Sequence, residues 1–121
     1  MTSKTHQTTR MYDDETGVSM VEKKFRNGDR CYYEGEKGSE KLCYRNLSNG
    51  SRYFYEGEKG FERLSLVVYP NGDEWYYTGR KSEEKMVRKE FPNGNKWFYE
   101  GERVEEKLVR KEFPDGSKWF Y

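Results

Sequence analysis

Met86–Tyr99 reads MVRKEFPNGNKWFY, and Leu108–Tyr121 reads LVRKEFPDGSKWFY. In each stretch an apolar-rich segment runs into Pro-Asn-Gly or Pro-Asp-Gly, and a triplet of aromatic residues follows. Asn-Gly or Asp-Gly flanked by β-branched and aromatic residues is the strongest short-range signal for a β-hairpin. Pro92 and Pro114 preset the first turn position, and Gly94 and Gly116 accept φ > 0. This suits a type I turn closed by a glycine bulge.

The two stretches are copies of one unit. Asn-Gly or Asp-Gly dipeptides end at Gly28, Gly50, Gly72, Gly94 and Gly116, each 22 residues after the one before. A second series, Gly35, Gly57, Gly79 and Gly101, keeps the same spacing seven residues further on. Two glycine ladders in one register define five repeats. Leading segments are Met20–Phe25, Leu42–Leu47, Leu64–Tyr69, Met86–Phe91 and Leu108–Phe113. Trailing segments are Cys31-Tyr32-Tyr33, Tyr53-Phe54-Tyr55, Trp75-Tyr76-Tyr77, Trp97-Phe98-Tyr99 and Trp119-Phe120-Tyr121. Arg26 and Ser48 stand where later copies have Pro, so the first two turns are expected to differ. Short charged linkers make consecutive hairpins neighbours. The expected fold is all-β: a single-layer antiparallel meander of five tandem β-hairpins (ten strands), twisted or solenoid-like. The hairpins occupy 17–38, 39–60, 61–82, 83–104 and 105–121. Residues 1–16 lie outside the repeat and read as a flexible polar tail, with pairing expected only near Val18.

Side chains alternate across a strand. Pairing Phe91 with Asn95 puts Val87, Lys89, Phe91, Trp97 and Tyr99 on one face, and Met86, Arg88, Glu90, Lys96, Phe98 and Glu100 on the other. Copy five divides the same way, with Val109, Lys111, Phe113, Trp119 and Tyr121 against Leu108, Arg110, Glu112, Lys118 and Phe120. One face is thus a column of rings with a basic residue in each hairpin. The other is expected to be largely a lattice of ion pairs, Glu90 facing Lys96 and Glu112 facing Lys118. Packing alone accounts for many of the rings, and Lys23, Arg45, Lys89 and Lys111 suit cation–π cover. A ring face without a second layer is nevertheless a candidate interaction surface. Its residues are Trp75, Trp97, Trp119, Tyr33, Tyr55, Tyr77, Tyr99, Phe91 and Phe113.

Composition agrees with a thin sheet. The chain has 11 Tyr, 7 Phe and 3 Trp, but only seven Val and five Leu, with no Ala and no Ile. Aliphatic mass this low suggests disorder, yet the 17% aromatic content and net charge of +1 oppose it. The balance of 23 basic and 22 acidic residues argues against a dedicated nucleic-acid binder. Acidic linkers likewise oppose a single-strand platform built on the rings. There is no apolar run of membrane-spanning length and no hydrophobic signal region, so the expected location is cytoplasmic. His6, the only histidine, falls in the polar tail and offers no base or metal cluster. The linker carboxylates Glu34/Glu36, Glu56/Glu58 and Glu100/Glu102 read as solvated charge. Cys31 and Cys43 map to neighbouring strands of the ring face, where a disulfide competes with two free thiols. They supply no zinc site. No metal or other cofactor is expected, and no catalysis.

Tyr99-Glu100-Gly101-Glu102 and Pro114-Asp115-Gly116 resemble the MORN repeat, whose units carry a Tyr-x-Gly-x core and an Asp-Gly or Asn-Gly turn. The same pieces recur as Tyr33-Glu34-Gly35-Glu36 with Asn27-Gly28, and as Tyr55-Glu56-Gly57-Glu58 with Asn49-Gly50. The similarity covers about residues 18–121. It lacks the family's Gly-x-Gly pair, and its two glycine series stand further apart. The resemblance implies a single-layer hairpin array acting as scaffold, spacer or dimeriser, without catalysis. Gly72-Asp73-Glu74-Trp75-Tyr76-Tyr77 and Gly94-Asn95-Lys96-Trp97-Phe98-Tyr99 also look like the core of choline- or glucan-binding repeats. That likeness implies aromatic cages between hairpins for a small ligand. The expected function is a repeat scaffold for protein interaction or self-association through the ring face. The competing expectation is the small-ligand module.

Overall fold

A computed structural model describes residues 6–12, 19–36 and 38–121. These form eleven strands and, among the described residues, no helix: β1 (His6–Tyr12), β2 (Ser19–Phe25), β3 (Arg30–Gly35), β4 (Lys41–Asn46), β5 (Arg52–Glu56), β6 (Arg63–Val68), β7 (Glu74–Thr78), β8 (Lys85–Glu90), β9 (Lys96–Glu100), β10 (Lys107–Glu112) and β11 (Lys118–Phe120). They pair in chain order as one open antiparallel sheet. The single-layer meander expected from the glycine ladders is present, and each leading and trailing segment is a strand.

The strand count rises from ten to eleven. Within the segment expected as a tail, His6–Tyr12 pairs along all of β2, from His6 opposite Phe25 to Tyr12 opposite Ser19. Thr8 and Thr9 suit a strand, the His6 ring lies 5.3 Å from that of Phe25, and Arg10 is tied to Glu40 (below). Residues 1–5 and 13–18, including Val18, lie outside the described residues.

All five hairpin turns are the same. Gly94 N–H donates to the Phe91 carbonyl and Phe91 N–H to the Asn95 carbonyl, both at 2.9 Å, as expected for a type I turn with a glycine bulge. The corresponding bonds at Phe25, Leu47, Tyr69 and Phe113 span 2.8–3.0 Å. Arg26 and Ser48 therefore do not change the turn. Its geometry comes from the glycine and from the Asn or Asp before it, whose side-chain oxygen accepts the N–H two residues on. Examples are Asn27 to Asp29 at 2.9 Å and Asn93 to Asn95 at 3.0 Å.

Where one hairpin meets the next, the register slips. Tyr32 faces Tyr44, but Tyr33 faces Leu42, leaving Cys43 as the extra residue of a β-bulge. The same slip recurs at Ser65, Val87 and Val109. It places Leu42, Leu64, Met86 and Leu108 opposite Tyr33, Tyr55, Tyr77 and Tyr99. Met86 and Leu108 therefore sit on the ring face, not on the opposite face that strict alternation assigned them, because directly paired residues share a face.

Successive hairpins touch at both ends. On the turn side Pro70, Pro92 and Pro114 lie against Gly50, Gly72 and Gly94; a Cβ added at Gly94 would stand 2.8 Å from Pro114 Cγ. On the linker side, one Glu per repeat bonds backwards. Glu62 accepts Leu42 N–H at 3.1 Å, Glu84 accepts Leu64 N–H at 2.9 Å, and Glu106 accepts Met86 N–H. Buried apolar side chains among the described residues are only Val21, Cys31 and Val67, and of these Val67 alone is fully buried.

Gly60 and Gly94 share a left-handed backbone, at φ +86 and +92, but nothing lies within 4 Å of a Cβ at Gly60. Gly60→Ala is expected to cost about 1–2 kcal/mol from conformation alone. Gly94→Ala should cost about 1–3 kcal/mol more, the usual range for overpacking, as read by denaturant melts. Val104 occupies the position of Gly38 and Gly60 at φ +60, with its side chain exposed. Val104→Gly relieves that strain without losing packing. It is expected to raise stability by about 0.5–1 kcal/mol, measured in the same way.

Candidate interaction face

The ring face is built from two rows that cross the strands. The central row follows the register: Lys23, Cys31, Arg45, Tyr53, Val67, Trp75, Lys89, Trp97, Lys111 and Trp119, each opposite the next. Beside it run the pairs Tyr33/Leu42, Tyr55/Leu64, Tyr77/Met86 and Tyr99/Leu108. Phe91 and Phe113 close the row at the turns, edge-on to Trp97 and Trp119 at 4.8 and 5.5 Å, as Tyr69 is to Trp75 at 4.9 Å. Such edge-to-face pairs are a favoured aromatic geometry. All nine residues expected on this face lie there. Eight are half-buried, whereas Trp119 is 60% exposed.

Their cover is cationic. Lys89 Nζ stands 3.9 Å from the centre of the Trp75 ring and 5.3 Å from that of Tyr99. Lys111 Nζ stands 4.3 Å from Trp97 and 5.6 Å from Tyr121, and Lys23 Nζ lies 4.8 Å from Tyr33. In the middle hairpin Val67 takes the cation's position between Tyr53 and Trp75 and is 1% exposed, the deepest side chain described. Burial pushes the Tyr77 phenol up to about 12, helped by the neighbouring Tyr69 and Tyr53. Burial also raises Tyr33 and Tyr99. The face therefore carries neutral phenols, lysine ammonium groups and no carboxylate in its central row.

The opposite face is not mainly an ion-pair lattice. Its central row is Glu22, Tyr32, Tyr44, Phe54, Leu66, Tyr76, Arg88, Phe98, Arg110 and Phe120. Tyr32 and Tyr44 stack at 4.4 Å, and Tyr44 and Phe54 at 5.9 Å. The guanidinium groups of Arg88 and Arg110 each lie 4.0 Å from the centre of the preceding ring, Tyr76 and Phe98. Ion pairs flank this row: Lys96–Glu90 at 3.5 Å, as expected from their pairing, and Arg110–Glu112 at 2.8 Å. Glu112 also faces Lys118. Alternation puts Phe98 and Phe120 on this face, and the 22-residue recurrence of the rings is the sequence signal that marks the row.

Two further features carry that recurrence. Glu40, Glu62, Glu84 and Glu106 form a third ladder. Desolvation pushes Glu62 upward, but hydrogen bonds from the backbone N–H groups of Glu62, Leu42 and Gly60 prevail and hold it below the ordinary range. Lys59 and Lys81 donate to the carbonyls of Gly38 and Gly60 at 2.6 and 3.1 Å, joining linker to linker. The carboxylates of Glu34, Glu36, Glu56, Glu58, Glu100 and Glu102 are exposed in these linkers.

Cys31 and Cys43 are not bonded to each other. The Cys43 thiol donates to the Glu34 carboxylate at 3.4 Å, and burial, then that carboxylate, push it up to about 11. It stays protonated at neutral pH and is a poor nucleophile. Among the described residues no group of three or more His, Cys, Asp or Glu is placed to hold a metal ion. No described helix is long and apolar enough to cross a membrane. Compared with protein-family models, curated proteins and solved structures, the chain matches none.

Arg10 of β1 donates to Glu40 at 2.7 Å, and this bond, foremost among several, holds the Glu40 carboxyl down at about 2 from an ordinary 4.5. A depressed carboxyl stabilises the fold above its ordinary value and loses that contribution as pH falls through its folded value. Hydrogen exchange should show β1 protected at pH 5 and released as pH falls from about 4.5 to about 2. Arg10→Gln should raise the Glu40 titration, followed by carbon NMR, from about 2 part of the way toward 4.5, the backbone N–H groups of Glu40 and Gly38 still holding it down.

Proposed function

We propose that the chain is a non-catalytic repeat scaffold whose ring face receives protein, in the first instance a second copy of itself. The observation that carries this reading is the ring face itself. Two rows of half-buried rings and aliphatic groups run across the sheet, with no second layer over them among the described residues. Rings left without a second layer, here interleaved with Lys23, Arg45, Lys89 and Lys111, ordinarily mark an interaction site. Stacking two such faces would bury the rings further while leaving each hairpin's own contacts in place. The reading agrees with what the MORN-like pieces around Gly35, Gly57, Gly101 and their turns imply.

The small-ligand reading is less well supported. A quaternary amine bound between hairpins would need the space over a Trp face. Over Trp75 and Trp97 the chain's own Lys89 and Lys111 fill it.

Sedimentation velocity from low micromolar to several hundred micromolar tests the assembly reading. Self-association through the ring face is expected to raise the sedimentation coefficient with concentration. Tyr55→Glu combined with Tyr99→Glu should abolish that rise while circular dichroism shows the sheet retained. Concentration-independent sedimentation of the unaltered chain would remove self-assembly. Choline titrated against tryptophan fluorescence is expected to give no response; saturable quenching would favour the small-ligand module.

A further inference from the structure

The five copies are not alike on the face opposite the ring face. In copies four and five Glu90 and Glu112 lie directly opposite Lys96 and Lys118, and Arg88 and Arg110 cover the rings of Tyr76 and Phe98. Counted back in steps of 22, the places of Glu90 and Glu112 are taken in copies one and two by Lys24 and Asn46. Arg30 and Arg52 keep the cations of Lys96 and Lys118, and Tyr44 stands at the place of Arg88 and Arg110. Two parts of the later arrangement are missing together: the carboxylate beside the cation and the cation over the ring.

Two parallel rows across β2 to β5 replace them. Lys24, Arg30, Asn46 and Arg52 follow one another in register, each opposite the next. Lys24, Arg30 and Arg52 are exposed, and no ion pair among the described residues includes them. Beside them Tyr32, Tyr44 and Phe54 are half-buried and stacked, with ring centres 4.4 and 5.9 Å apart. The acids of these hairpins are engaged elsewhere. Asp29 accepts Ser48 N–H at 2.8 Å and Asn27 Nδ2 at 3.1 Å, and Glu34 accepts the Cys43 thiol. Glu56 pairs with Arg63, and Glu22 accepts the Tyr32 hydroxyl at the β2 end of the ring row. Lys24 opposite Arg30 sets like charges side by side, which destabilises a sheet. The fold does not demand it, since the turns of these hairpins have the same bonds as the others.

We infer that this face of β2–β5 is a docking surface for an extended acidic segment of a partner protein. From Lys24 to Arg52 is three strand spacings, about 14 Å, which an extended chain covers in about four residues. Carboxylates on alternate residues therefore match Lys24, Arg30 and Arg52, and the apolar side chains between them lie against Tyr32, Tyr44 and Phe54. Those rings have spent their faces on one another, and a nucleic-acid base needs a ring face to stack on. Ring edges are the positive pole of the aromatic quadrupole, so the row that remains suits carboxylates. The near-zero net charge of the whole chain conceals this local excess of cations. The surface lies on the other side of the sheet from the ring face and stands whether or not that face self-associates.

The test is an anisotropy titration of the full chain with a fluorescein-labelled peptide, Gly-Glu-Leu-Glu-Phe-Glu-Leu-Gly, together with amide chemical shifts. Saturable binding is expected at about 50 mM salt and weaker binding at about 300 mM, because exposed charges are screened. The largest shifts should fall at Lys24, Arg30, Asn46 and Arg52. The same peptide with Gln for each Glu should bind about 3- to 150-fold more weakly, the loss of three exposed ion pairs. Lys24→Glu with Asn46→Glu installs the residues of copies four and five. This variant is expected to melt in denaturant at the same or a higher midpoint, because Arg30 and Arg52 gain carboxylates, and to lose the peptide. No binding, equal affinity for the Gln peptide, unchanged binding by the folded variant, or shifts confined to the ring face would each overturn the inference. So would an oligothymidylate that displaces the peptide and binds more tightly, which would assign the surface to a nucleic acid.

Discussion

The ammonium of Lys89 lies 3.9 Å above the Trp75 ring, and one residue earlier the Arg88 guanidinium lies 4.0 Å above Tyr76. In a single-layer sheet no opposing layer exists, so cover for a side chain comes chiefly from its neighbours on adjacent strands. Ring against ring would leave large apolar area in water, and cation against cation would repel. From β7 onward the two alternate along each row, so that the stem of Lys or Arg covers the ring while its charged head reaches solvent; across β3, β4 and β5 Tyr32, Tyr44 and Phe54 stack on one another instead. The 37% charged content and the 17% aromatic content are two halves of one arrangement. A thin sheet of this kind stays ordered with only three buried apolar residues among those described.

The rows alone would let hairpins slide. Their spacing is held at both ends by contacts of different chemistry. At the turns, proline carbons lie against glycines that have no side chain to hold them off. At the linkers, Glu62, Glu84 and Glu106 take the backbone N–H of the residue that opens each bulge, a group left over by the slipped register. The bulge and the glutamate thus belong together: the extra residue frees an N–H, and the next repeat's carboxylate satisfies it. Each hairpin is therefore bound to the next in three places, and its stability is a nearest-neighbour matter in the manner of other repeat proteins.

Most of the fold was readable from the two glycine series, because a left-handed turn position is demanded locally and glycine meets it best. The pairing of Phe91 with Asn95, and the ring face that follows from it, needed nothing beyond that turn. The bulges were not readable. They arise between hairpins, where the linker sets the register, and neither Cys43 nor Val87 carries a mark of being the extra residue. Without the bulges, strict alternation assigns Met86 and Leu108 to the opposite face. Strand β1 escaped because it lies outside the repeat, and the residue tying it down, Arg10, finds its partner Glu40 thirty positions away. The second row of rings was present in the same strings, Tyr76 and Phe98 beside Trp75 and Trp97. Alternation placed them correctly, but their cover by Arg88 and Arg110 becomes evident only when the register between hairpins is known.

Two kinds of contact run in one direction along the strand order, and the shortest cation–ring contacts share it. Trp75, Tyr76, Trp97 and Phe98 take their cation from the strand that follows, whereas Tyr33, Tyr99 and Tyr121 meet Lys23, Lys89 and Lys111 of the strand before. A turn glycine takes its proline from the turn that follows, and a bulge N–H takes its carboxylate from the linker that follows. The strands alternate in direction, yet the sheet has a polarity. Toward β1 the giving groups run out of takers: the Glu40 carboxylate, counterpart of the bonding Glu62, is met by Arg10. A side chain there takes the part that a bulge N–H takes in the other linkers. The same carboxylate position thus serves the repeat and ties down a strand that lies outside it.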